Sequence, residues 1–272
     1  MGRNRTQLEG PKSPVRSRTG VRKLVSVLLV AAALPLASGL AGEVRKELSR
    51  SLETDPIRVA AAANRSNGEV YHMHWKLGGF LGALAGLFVP SSGDALLTFV
   101  PADDQRYEVQ VLITAPKRDG EYFVYGAAID EETKTTREVW SSYVFRDSGR
   151  QREQQIEQED VIDFASAIYH LRRKPPSAPI RLTIWNQGKT YPVEVRPLKP
   201  ERRKVSGTKT DAQGYEVIGI PVDGQETFKE KFTLYFSRNA EATPLEITGK
   251  RGWVKLRIQL VEEDVQRLNA AP

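Results

Sequence analysis

The chain contains no cysteine in its 272 residues. Disulfide staples, thiolate metal sites and cysteine nucleophiles are therefore excluded, and packing must carry the stability of the fold. A lipid anchor on a cysteine at the head of a mature chain is excluded with them. Histidine is nearly as scarce, with His72, His74 and His170 only. His72 and His74 would share one face of a strand, a spacing that zinc sites use. A further ligand is required, and His170 falls in a different segment, near the end of an expected helix. The pair reads as solvent-facing residues opposite Tyr71, Met73 and Trp75, so no metal and no cofactor are expected. No Gly-x-Ser-x-Gly elbow is present. Ser206-Gly-Thr-Lys209 has the Ser-x-x-Lys spacing of serine acyltransferases, which work from a helix start. Here it sits in turn-rich β context before Asp211-Ala-Gln-Gly214, and no catalytic residue is assigned.

Charge of one sign is missing as well, once its distribution is considered. The chain is formally +6, with 40 basic and 34 acidic residues. Seven of the basic residues and one acidic residue precede Leu24, and none lies between Leu24 and Ala41, which leaves 33 of each beyond it. Arg172-Arg173-Lys174 and Arg202-Arg203-Lys204 are then basic loop ends on a neutral chain, without the interleaved aromatics of a nucleic-acid module. No nucleic-acid partner is expected.

Long uncharged runs are few, and two stand out. Leu24 to Ala41 is uncharged for eighteen residues behind the basic cluster, is broken by Pro35, and exits through Gly39-Leu40-Ala41. That is the pattern of a secretory signal. Residues 1–41 are expected to be cleaved, releasing the protein into the periplasm. The second run, Leu77 to Pro90, lies between two expected strands, where a polar turn is the rule. Gly78, Gly82 and Gly86 recur at every fourth position. The run is too short to span a bilayer. It reads either as an apolar loop folded over a barrel mouth or as an exposed tip that touches a lipid or a membrane. In the second case Leu81, Leu84, Leu87 and Phe88 supply the contact.

The remainder has β texture. Residues 42–68 form an Ala-rich lead-in, expected to be helical, and 69–262 one β-rich domain, followed by a tail at 263–272. Tyr71, Met73 and Trp75 alternate with His72, His74 and Lys76, as a half-buried strand requires. Similar runs recur from Ala95 to Leu260, separated by turn signals such as Asp119-Gly120, Asn186-Gln-Gly188 and Asp223-Gly224. Close-spaced strands without helices between them imply an antiparallel curved sheet, here an incomplete barrel. One helix, at about 157–173, interrupts it. Val161, Phe164, Ala165, Ile168 and Leu171 make its apolar stripe, acids crowd its start, bases its end, and Pro175-Pro176 stops it. Phe164 and Ile168 should be almost fully buried.

Several motifs carry a family resemblance. They are Val139-Trp-Ser-Ser-Tyr-Val-Phe145, the segment Glu159 to Arg173, and the strand pair holding Ile184-Trp185 and Lys189-Thr-Tyr-Pro-Val193. Leu234-Tyr-Phe-Ser-Arg-Asn239 and Thr243-Pro-Leu-Glu-Ile247 complete them. Together they resemble the exported bacterial proteins of the domain of unknown function 3108 family, over most of Glu69 to Val261. The resemblance implies an envelope-associated curved sheet around a helix and supplies no functional residues. Taken together, the expectation is a non-enzymatic envelope protein that binds a hydrophobic or envelope-derived ligand. The alternative is a scaffold or assembly factor for another envelope protein, and a hydrolase is the third reading.

Overall fold

The computed structural model describes residues 68–78, 91–102, 106–114, 121–145, 148–251, 254–262 and 264. The expected leader, the lead-in segment and the contact residues Leu81, Leu84, Leu87 and Phe88 lie outside the described residues.

The described chain runs β1 (Glu69–Gly78), β2 (Ser92–Ala102), β3 (Arg106–Thr114), β4 (Tyr122–Asp130), β5 (Thr136–Phe145), β6 (Ser148–Gln155) and β7 (Val161–Ile162). It continues with α1 (Phe164–Arg173), β8 (Ile180–Asn186), β9 (Lys189–Pro197), β10 (Glu201–Val205), β11 (Thr208–Gly219), β12 (Lys231–Ser237), β13 (Pro244–Arg251) and β14 (Val254–Leu260). All strands join one sheet in the order β6-β5-β4-β3-β2-β1-β14-β13-β12-β11-β9-β8-β7, with β10 on the free half of β11. Every pairing is antiparallel except that of β7 with β8. The alternation read from β1 holds: Met73 and Trp75 are buried while His72, His74 and Lys76 are exposed.

The sheet curls almost closed without completing its ladder. Its two outermost strands, β6 and β7, are consecutive in the chain, and the short connector Ile156–Asp160 draws the edges together. Side chains fill the seam where backbone bonds stop. Ala127, Val139, Ile156, Val161 and Trp185 form a buried cluster there. The Trp185 Nε1–H donates to Gln154 Oε1 across the seam at 2.6 Å.

Helix α1 occupies the concave face, packed on β3, β4 and β8. Ile168 is 0% exposed, and Ala165, Ala167, Tyr169 and Leu171 are buried with it. The small alanines let the helix backbone seat close to the strands, while Ile168 and Leu171 enter the main core.

Two expectations about this helix need correction. It begins at Phe164 rather than near residue 157, because Val161 and Ile162 pair with Thr183 and Ile184 of β8 as a short strand. Both are buried, so their apolar character reports a strand, although Val161 also fits the helical period. Asp163 then caps the helix, accepting from the backbone N–H groups of Ala165 and Ser166, while Ser166 Oγ accepts from the Asp163 N–H. That reciprocal box satisfies orphan donors at the helix start. The acids at Glu157, Glu159 and Asp160 consequently lie before the helix and not in its first turn. Phe164 is half-buried, because it stands in the first turn, at the open end of the curl.

Three stretches lacked a readable strand signal. β6 is Ser-Gly-Arg-Gln-Arg-Glu-Gln-Gln, an outermost strand with no apolar alternation. β10 and the first half of β11 form a hairpin turned at Ser206 (φ 46°) and Gly207 (φ 92°). Positive φ at both central residues matches the twist of a two-residue hairpin.

Candidate functional site

The antiparallel registers place the same end of many strands side by side. The last residues of β1, β3, β5, β9's partner β8, β11 and β13 meet the first residues of β2, β4, β9, β12 and β14. Helix α1 points its N-terminus toward this end, since the Phe164 ring sits 5.9 Å from Tyr125 and 5.4 Å from Phe232. Its C-terminus lies at the other end. There Arg172 Nη2 meets Glu69 Oε2 at 2.7 Å, and its guanidinium lies over the Tyr71 and Phe99 rings.

The ion pair ties the C-terminal end of the helix to the start of β1. Burial alone would raise the Glu69 pKa, but bonds from Arg172 and Tyr71 outweigh it and hold the carboxyl below its usual range. His170 is pushed down to about 4 by burial, so it is neutral at physiological pH, with Nε2 3.2 Å from Thr136 Oγ1.

The N-terminal end is different: its concave face is a run of aromatic rings. Tyr191 contacts Phe228 (5.6 Å), Phe228 contacts Phe232 (6.3 Å), and Phe232 contacts Phe164. The run continues through Tyr125 to Phe123 (4.7 Å) and Tyr143 (6.2 Å). Leu77, Ile113 and Leu256 add partly buried aliphatic surface on the same face. Most of these side chains keep some exposure, unlike the core around Ile168. A shallow, open cleft of about 400 Å3 lies at the Tyr191 edge of the run, between Gly188–Tyr191 and Gln225–Glu226.

Two titratable groups near this mouth are shifted by burial. Asp163 is wholly buried at the helix start. Desolvation raises its pKa to about 6, against the lowering effect of the N–H and O–H groups it engages. The Tyr125 phenol is raised above its ordinary value, first by burial and then by the charges of Asp163 and Glu230. The hydroxyl that Asp163 engages is that of Ser166, within the capping box. The arrangement can hold an apolar or aromatic-compatible chain against a concave wall.

The residues singled out from sequence fall elsewhere. His72 and His74 are exposed on the convex face of β1, with His74 Nδ1 3.4 Å from Asp94 Oδ1. His170 is at the far end of the helix, and no group of metal ligands exists among the described residues. Ser206 lies in the β10–β11 turn, where its Oγ–H donates to the Leu260 carbonyl, and Lys209 is exposed. The Ser-x-x-Lys spacing thus belongs to a hairpin. The apolar segment that holds Leu81, Leu84, Leu87 and Phe88 leaves β1 at Gly78 and rejoins β2 from Ser91, which puts both of its ends at the aromatic mouth. The aromatics themselves were missed, because they are scattered over residues 123–232 and only the register assembles them. Their signal is weak: an aromatic on the inward face near a strand end, repeated in strand after strand.

No family model matches the chain, and no curated protein matches it. Among solved structures, a β-barrel-like protein of domain of unknown function 1849 from Brucella abortus aligns with a TM-score of 0.41 and 10% identity. That alignment covers 71% of this chain and 94% of that one. The lipoprotein LppX of Mycobacterium tuberculosis aligns with a TM-score of 0.27 and 12% identity, over 77% of this chain and 93% of the other. Neither likeness is strong enough to carry an argument about function.

Proposed function

We propose that this chain is an exported, non-enzymatic envelope protein of the domain of unknown function 3108 kind, and that it binds a hydrophobic ligand at the aromatic mouth. The observation that carries the reading is the contrast between the two ends of one curled sheet. One end carries the Arg172–Glu69 ion pair; the other presents a run of rings in contact, in which Phe228 and Phe232 are buried and Phe123, Tyr143, Phe164 and Tyr191 are half-buried. Ligand sites are concave and mostly apolar; the rings supply the apolar part, and the shallow cleft beside them adds Tyr191 together with the polar Lys189, Thr190, Gln225 and Glu226. The segment Leu77–Pro90, uncharged throughout, starts and ends beside it. Export rests on the sequence of residues 1–41.

A fluorescent fatty-acid probe tests the reading. The protein should bind the probe with saturation, and Phe123→Asp, which puts a carboxylate on the concave wall, should weaken binding at least tenfold. Leu84→Asp with Phe88→Asp asks the same of the apolar segment. If the parent binds no probe and the double variant is merely unfolded, the segment is core and the ligand reading fails. A scaffold role is the second reading; the outer edge of β6, eight residues long, makes no backbone ladder among the described residues, and side chains engage it with β8 at the seam. A cross-linked envelope protein, lost when Gln151 or Glu153 is changed to Pro, would support it.

A further inference from the structure

The convex face behind the mouth carries an unusual charge arrangement. On β12, β13, β14 and β1 the inward residues near this end are Phe232, Gly249, Leu256 and Leu77, in cross-strand register. Their outward neighbours are cations. Lys231 stands directly opposite Lys250, Lys250 opposite Lys255, and Lys76 opposite Arg257. All five side chains are exposed. Like charges directly opposite one another destabilise a sheet. Two of the five are matched locally: Lys231 by Glu216, and Arg257 by the buried Glu246 at 2.8 Å. Lys76, Lys250 and Lys255 have no such acid among the described residues.

We infer that this lysine ladder docks the mouth end of the barrel onto a membrane surface rich in anionic phospholipid. The deciding feature is the juxtaposition of three unmatched lysines with the apolar rim of the same strands. Leu77 and Leu256 back the ladder directly, and Val222, in the loop between β11 and β12, exposes 40% of its surface at this same end. Basic side chains beside an apolar rim, as on these four strands, are complementary to phosphate headgroups over acyl chains. A soluble anion would use the charge and leave the rim in water. The inference rests on the mouth reading above and names the surface that would deliver or receive the ligand.

Vesicle co-sedimentation tests it, with protein recovered from the envelope of exporting cells and its intact mass recorded. Binding should be strong to vesicles containing phosphatidylglycerol, weak to phosphatidylcholine alone, and should fall as salt rises from about 0.1 M to about 0.5 M. The triple variant Lys76→Gln, Lys250→Gln, Lys255→Gln should lose binding on the order of 100-fold, at about 1 kcal/mol per lysine. Its unfolding midpoint should not drop, because the changes remove opposed like charges. Equal binding to both vesicle types, no binding by the folded parent, or a triple variant that binds like the parent would each overturn the inference. The fatty-acid probe separates the two claims: probe binding without vesicle binding sinks the docking surface alone, and vesicle binding without probe binding sinks the ligand reading alone.

Discussion

Asp163 offers the sharpest quantitative test of the helix seat. Its carboxyl is 0% exposed and its pKa is raised from 3.8 to about 6, with burial as the main cause. Between those values the folded protein holds a proton that the unfolded chain has released. Its contribution to stability is therefore present in full below about pH 4 and declines as pH rises toward 6. The two pKa values lie about 2 units apart, so by pH 7 the decline is on the order of 3 kcal/mol. Asp163→Asn keeps one oxygen to accept from the Ser166 N–H and gives up the acceptor for Ala165, a loss that does not depend on pH, while removing the ionisation. Urea unfolding of both proteins at pH 4, 5, 6 and 7 isolates the effect, because Glu69 and Asp130, whose pKa values are lowered, contribute the opposite slope equally to both. The variant should gain relative to the parent as pH rises. A parent-minus-variant difference that is flat across the range, or that grows in the parent's favour, would refute the account of a carboxyl desolvated at the barrel mouth.

Other outcomes follow from the packing. Ile168→Ala removes a side chain with no exposure from the centre of α1 and should cost about 2–5 kcal/mol, read as a lower denaturant midpoint. Phe164→Ala should cost less than a fully buried phenylalanine would, since its ring is half-buried. Gly126→Ala places a methyl 2.1 Å from the Trp140 ring, which lies flat over that glycine on the convex face. The indole must shift, at roughly 1–3 kcal/mol, with a change in tryptophan fluorescence.

The strands with one face in the core announced themselves, as Met73 and Trp75 against His72 and His74 do. The seam did not. β6 carries no apolar residue, so nothing in its pattern could mark it as a strand, and β7 is only two residues long. The helix was visible as a stripe, but its start was not, because Val161 and Ile162 are apolar for a different reason, being buried in the seam and core. Asp163 was read among a crowd of acids, whereas its capping role depends on the extended backbone at that residue. The mouth was beyond reach for a geometric reason. Phe123, Tyr191 and the pair Phe228 and Phe232 are separated by long stretches of chain, and they come together only through the strand registers and through Phe164 of the helix.

The central claim is that the aromatic end of this curled sheet holds an apolar ligand. Native mass spectrometry of the protein released gently from its own envelope tests that claim most directly. The account predicts a species heavier than the chain by the mass of an acyl-bearing molecule, removed by detergent and absent from the Phe123→Asp variant. A bare chain mass in every preparation, with the parent failing to take up added fatty acid, would contradict it.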